Sequence, residues 1–312
     1  MHRLLNSSFP NVFFGLCAAL LFSCQPKQAS ETPDASVQTS DTLSFRLSPA
    51  NNLILGAVLN GQDSLDLMFH TAVTGVSIIE ASSQKLKSIQ YQDSSEVKSW
   101  GGGGQARFSE SNRLQIGSMN WADLAIWENQ RSGPETDGKF GIDLFKDRVI
   151  EMDFDRGLLM LHHQPPEALG DYQALPVRFE DYSIFIPIEL LHEEPSVLQE
   201  FLFHSGYGGS ILFDDAFVNA SQLNQQLEII DESTLNDAYG NVLKTKKAIF
   251  PAIHLGGQRL DDVPCTFFEG SIGRQKMSVL GGQLIQRYNW MIDWPNGKVY
   301  LKPNSLTSKA FG

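Results

Sequence analysis

Leu65-Asp66-Leu67-Met68-Phe69-His70-Thr71-Ala72-Val73-Thr74-Gly75-Val76-Ser77-Ile78-Ile79 is matched later in the chain by Glu200-Phe201-Leu202-Phe203-His204-Ser205-Gly206-Tyr207-Gly208-Gly209-Ser210-Ile211-Leu212-Phe213. Each copy reads as an apolar strand, a polar His-Thr or His-Ser pair, a turn of small residues, and a second apolar, β-branched strand. A polar tip lifted between two buried strands is a way to present side chains at a site.

The two copies belong to a larger internal repeat. Phe140-Gly141-Ile142-Asp143-Leu144-Phe145, with Met152-Asp153-Phe154 and Gly157 beyond it, returns as Leu280-Gly281-Gly282-Gln283-Leu284-Ile285, with Ile292-Asp293-Trp294 and Gly297. Gly141 to Gly281, Asp153 to Asp293 and Gly157 to Gly297 are each 140 residues apart, and His70 to His204 is 134. A period of that length is far too long for a solenoid and means two duplicated lobes.

Within each lobe the apolar segments are short, rich in β-branched and aromatic residues, and punctuated by Asn60-Gly61, Gly101 to Gly104, Asn120 and Asn296-Gly297, an all-β pattern. Helix is expected only as brief pieces near 83–86, 142–146, 214–219 and 282–287. Pro165-Pro166 follows the last strand of the first repeat and cannot continue a ladder, so the lobe junction is expected there. The expected division is a first lobe over 42–164, a second over 165–305, and a tail over 306–312.

Ahead of the lobes, Arg3 precedes an apolar run over 12–22 that is too short to span a bilayer and suits a signal-peptide core. Leu21-Phe22-Ser23-Cys24 ends it and resembles the lipobox of bacterial lipoproteins, which implies acylation of Cys24 after removal of residues 1–23. Residues 24–41 are polar and Pro-rich with Val37 as their only large apolar side chain, so they read as a disordered tether. The expected location is therefore the bacterial cell envelope, exported and held to a membrane by the lipid. With Cys17 lost and Cys24 acylated, Cys265 is the one remaining thiol, which excludes a disulfide framework. A net charge of −12 without a Lys/Arg cluster argues against nucleic acid as a partner.

The apolar strand ending in a polar-Thr/Ser-Gly/Ala triplet, the later apolar-apolar-Gly strand, and the closing Asp hairpin together resemble the aspartyl proteases, closest to retropepsin-like and pepsin-like bacterial members. The resemblance runs over both repeats. It implies two duplicated β-barrel lobes facing a central cleft, with the two triplet loops meeting at its floor. In that family each triplet opens with Asp, and the two carboxylates share a proton to activate water. Here the positions hold His70 and His204, flanked by Thr71 and Ser205. The resemblance thus implies imidazoles close together with Thr71 and Ser205 hydrogen bonding behind them, on a scaffold inactive as an aspartic endopeptidase.

Two facing imidazoles are also the beginning of a metal site, but a stable one wants further ligands, which the sequence does not place. No cofactor is expected. Trp100-Gly101-Gly102-Gly103-Gly104 suits a mobile hairpin tip and by resemblance corresponds to the flap over the cleft, with Trp100, Gly101 and Gly102 as substrate-binding residues. Two functions follow for what is expected to be a monomer. One is a binding module that holds an extended peptide or protein segment in the cleft. The other is an atypical peptidase or metal-dependent hydrolase that uses the His pair.

Overall fold

The computed structural model describes residues 41–92, 94–99, 102–192, 194–238, 242–268 and 275–311. Cys24, Trp100 and Gly101 lie outside them.

Each lobe closes a barrel of six strands in the same order. In the first lobe Leu53–Leu59, Asp63–His70, Gly138–Gly141, Val76–Ile79, Met119–Asn129 and Gly102–Ile116 follow one another around it. In the second lobe the order is Ser183–Leu190, Val197–His204, Ser278–Gly281, Ile211–Leu212, Gln258–Phe268 and Val242–Leu255. Closure is made by Val58 opposite Gln115 and Leu59 opposite Leu114, and by Glu189 opposite His254 and Leu190 opposite Ile253. Closing a sheet on itself removes the edges that would otherwise pair with another chain.

Period-two patterning fixes which side chains enter the barrels. Leu65, Leu67 and Phe69 are fully buried or nearly so, as are Phe201 and Phe203. Alternation therefore turns His70 and His204 to the outer face at the strand ends. A slip of one residue would exchange the two sets.

The repeat landmarks have steric causes. Gly141 and Gly281 end the strands that run parallel to the two His strands, in register with His70 and His204. Their N–H groups donate to Gly75 O and Ser210 O at 2.8 Å. A Cβ on Gly141 would lie 2.3 Å from Val73 O, and one on Gly281 would lie 2.3 Å from Gly209 O. The tip loop rests on each glycine, so no side chain fits. In the closing hairpins Asp153 accepts from Arg156 N at 3.1 Å and Asp293 from Asn296 N at 3.3 Å. Gly157 and Gly297 then take the left-handed backbone, at φ 66° and 60°.

Those closing hairpins do not stay within their own lobes. Val149–Asp153 pairs antiparallel with Tyr288–Asp293, placing Glu151 opposite Met291, and the two hairpins join Asp41–Ser44 and Gln173–Leu175 in one six-stranded sheet. Residues 165–170 therefore connect two strands of a shared sheet. Asp41 pairs with Leu161, so the first strand begins at the last residue of the expected tether.

Three further expectations are adjusted. The helical turn near 83–86 falls at Glu80–Ser83, and Leu223–Gln226 adds a turn that the sequence did not signal. Gly102 to Gly104, expected in a mobile hairpin tip, are paired strand, opposite Ser99, Lys98 and Val97. The tail is docked: Arg287 donates to Leu306 O and Ala310 O at 2.9 and 3.0 Å, and its guanidinium lies 3.6 Å from the centre of the Phe311 ring.

Candidate functional site

The two tips meet across the lobe interface. Thr71 N donates to Ser205 Oγ and Ser205 N to Thr71 Oγ1, both at 3.0 Å. Thr71 Oγ1 donates to Phe203 O and Ser205 Oγ to Phe69 O, both at 2.7 Å. Thr71 and Ser205 are fully buried, so this reciprocal set satisfies groups that have no access to water. It also fixes where the preceding residues stand. The imidazole centroids of His70 and His204 are 4.6 Å apart, with the rings inclined at 55°. Gly206 makes room for this approach, since a Cβ there would lie 2.2 Å from His70 Nε2.

The protons on this pair are set by the backbone. Ala72 N donates to His70 Nδ1 at 3.2 Å, and Tyr207 N donates to His204 Nδ1 at 3.0 Å. A backbone N–H can only donate, so each Nδ1 presents its lone pair and each neutral ring carries its proton on Nε2. Charging is disfavoured. For His70, burial first, then His204 and Lys139, hold the pKa well below its ordinary value. Burial, with Lys139 as the lesser cause, brings His204 from 6.5 to about 4. In each case a contact of the ring with its own backbone works the other way and is outweighed. At neutral pH both rings are thus uncharged, each with its N–H on Nε2.

Around the pair opens a cavity of about 1870 Å³ lined by both lobes. Its walls differ. At equivalent positions of the lining the first lobe has Ser77 opposite Lys139 where the second has Leu212 opposite Val279. Asn129 Nδ2 donates to Ser77 Oγ at 2.9 Å, and the other end of that buried amide has no hydrogen-bond partner among the described residues. Lys139 is removed far enough from solvent that its pKa falls from 10.5 to about 8, with Asp237 of the second lobe favouring the charged form. Asp237 follows the strand Ile229–Asn236, whose hairpin reaches across the cleft. Ala238 O accepts from Gln130 N and Arg131 N of the first lobe at 2.8 and 3.1 Å.

The structure therefore brings together His70, His204, Thr71 and Ser205. Of the flap residues only Gly102 is described, and its hairpin does not contribute to the cavity lining among the described residues. The hairpin that does cross the cleft belongs to the second lobe. Among the described residues the other histidines stand apart: His162 pairs with Glu151 at 2.9 Å, His163 lies against Arg148, His254 pairs with Glu189 at 2.8 Å, and His192 packs on Phe217 and Phe250. Among the described residues no group of three His, Cys, Asp or Glu side chains is placed to hold a metal ion. The pair itself is poorly disposed to one, since Nδ1 is engaged and Nε2 carries the proton.

Sequence reasoning missed Lys139, Asn129 and Asp237. For Lys139 the signal was present, because the 140-residue repeat sets it against Val279 in an otherwise apolar strand. Asp237 has no such signal, as it reaches the site only through the course of a hairpin.

The fold and site define a duplicated double-barrel protein with an uncharged histidine pair at the floor of its inter-lobe cleft. No family model matches the chain, and no curated protein matches it significantly.

Proposed function

We propose that the chain is a histidine-substituted relative of the aspartyl proteases that binds an extended peptide in its inter-lobe cleft without hydrolysing it. The observation that carries this reading is the pair of backbone N–H groups donating to His70 Nδ1 and His204 Nδ1. An aspartic dyad works because one carboxylate accepts a proton from water while the other carries the shared proton. Two rings that carry their proton on Nε2 and have Nδ1 engaged by a backbone N–H have no free lone pair to activate water. They can donate hydrogen bonds to a carbonyl or carboxylate, which suits holding a peptide. Main-chain pairing in the strand-addition mode would supply affinity along the rest of the cleft.

The double substitution His70→Asp with His204→Asp tests this, because it returns the charge and the shared proton to an unaltered scaffold. Turnover of unfolded protein at acid pH gained only in the double variant supports a peptide-binding scaffold descended from a protease. Cleavage of a peptide library by the wild type, lost on His70→Ala, would instead make it a histidine enzyme. By the same reading the protein is an exported lipoprotein anchored through Cys24.

A further inference from the structure

Lys139 is a charged residue of the first lobe at a position where the repeat gives the second lobe an apolar one. It lies in register between Met68 and Ser77 on the outer face of the first barrel, where the second barrel has Val279. It lines the same cavity as the histidines, and its charge acts on both imidazoles. Among the described residues seven Lys and Arg line that cavity against four Asp, in a chain whose net charge is −12. A cleft with the opposite sign to its own protein concentrates anions. Several of the surrounding charges already have partners, Lys247 with Asp231 and Arg259 with Asp261. Lys139 is compensated by Asp237, which comes from the other lobe on the hairpin that crosses the cleft.

We propose that the cleft recognises a carboxylate, which takes the place of Asp237 beside Lys139 and accepts hydrogen bonds from the Nε2–H groups of the His70 and His204 pair. This rests on the peptide-binding reading above and names the group on the ligand that is recognised. The kind of anion follows from Asp237, since the group that already compensates Lys139 is a carboxylate. The donors follow from the ring protonation, since a floor of N–H groups offers an acceptor-only ligand everything it needs. Asp237 then has a second role as an internal competitor. Its hairpin is held over the cleft through Ala238, and a ligand carboxylate displaces its side chain from the lysine.

The test is a titration of the full mature chain followed by the histidine ring proton signals. The probes are sodium acetate, inorganic phosphate, and a hexapeptide library without Asp or Glu, made both as free acids and as C-terminal amides. Acetate and the free acids should shift the His70 and His204 signals, the amides should bind about tenfold more weakly, and phosphate should not compete. Acetate alone separates a small organic acid from a peptide terminus: equal affinity for acetate and free-acid peptides would assign the site to small acids. Lys139→Met should weaken carboxylate binding by about tenfold or more, whereas Lys139→Arg should keep it. Asp237→Asn should tighten binding, opposite in sign to Lys139→Met, since it removes the negative charge that acts on Lys139 in the cavity. Should Lys139→Met fail to fold, the sign of the Asp237→Asn effect decides the matter. Acids and amides binding alike would leave the peptide reading standing and overturn the carboxylate. Weaker binding by Asp237→Asn, or tighter binding of phosphate than of acetate, would overturn it too. Silence from every probe would remove both readings.

Discussion

Thr71 and Ser205 hold each other by a two-fold exchange, each hydroxyl oxygen accepting from the other's backbone N–H at 3.0 Å and donating to the other lobe's strand at 2.7 Å. These four bonds span residues 134 apart or nearly so and lie in fully buried surroundings. They decide how closely the two histidines approach.

Breaking that exchange should be costly. Thr71→Val keeps the shape but leaves Ser205 N without an acceptor and Phe203 O without its donor, both in the interior. Each unmet buried group costs about 1–3 kcal/mol, so a loss of about 2–4 kcal/mol is expected from urea unfolding. Ser205→Ala added to Thr71→Val should cost less than the sum of the two, because they remove one shared network. A loss for Thr71→Val below about 0.5 kcal/mol would show that the exchange is not structural.

The His pair gives stability a direction with pH. Both folded pKa values lie below the unfolded value, His204 at about 4 against 6.5. Between those values the unfolded chain binds more protons, so stability rises with pH there. The stabilising contribution is complete above about 6.5 and is lost as pH falls toward 4. His204→Gln should flatten that range of the profile in thermal unfolding. The same slope in the variant as in the wild type would mean that the ring already titrates normally.

Gly206 is predicted to tolerate no side chain. A methyl group would come within 2.2 Å of His70 Nε2 and 2.3 Å of Cδ2, so Gly206→Ala should destabilise by about 1–3 kcal/mol and displace the His70 ring signal. Gly56, with nothing within 4 Å of a built Cβ, serves as the control and should change little.

Cys265 should be inert. It is 1 % exposed, and burial pushes its thiol up to about 12. A disulfide-exchanging reagent at pH 8 should modify it only in denaturant. Reaction in the folded protein at the rate of a free thiol would contradict the packing.

The proposed lipid anchor at Cys24 is open to a direct assay. A fatty-acid analogue fed to cells should label the wild type and not Cys24→Ala, and equal labelling of both would rule out acylation at that residue.

The local sequence determined the duplication, the strand periodicity, the position of both tips and the identity of the two residues on them. Those features are written in short-range pattern: apolar alternation at period two, glycines where a loop rests on a strand, and Asp-to-Gly spacing where a hairpin turns. Tertiary structure alone decided the chemistry of the pair. The proton on each ring depends on a backbone N–H two or three residues along, whose direction exists only once the tip is folded. The charge in the cleft depends on Lys139 and Asp237 lining one cavity, although they stand 98 residues apart in the sequence and on opposite lobes. The repeat could point to Lys139 but not to its partner. The closing hairpins, likewise, read as ends of separate lobes until Val149–Asp153 and Tyr288–Asp293 pair in one sheet. The physical reason is the same in each case: periodicity records which face a side chain takes, whereas contacts between distant segments are chosen by how the finished barrels pack.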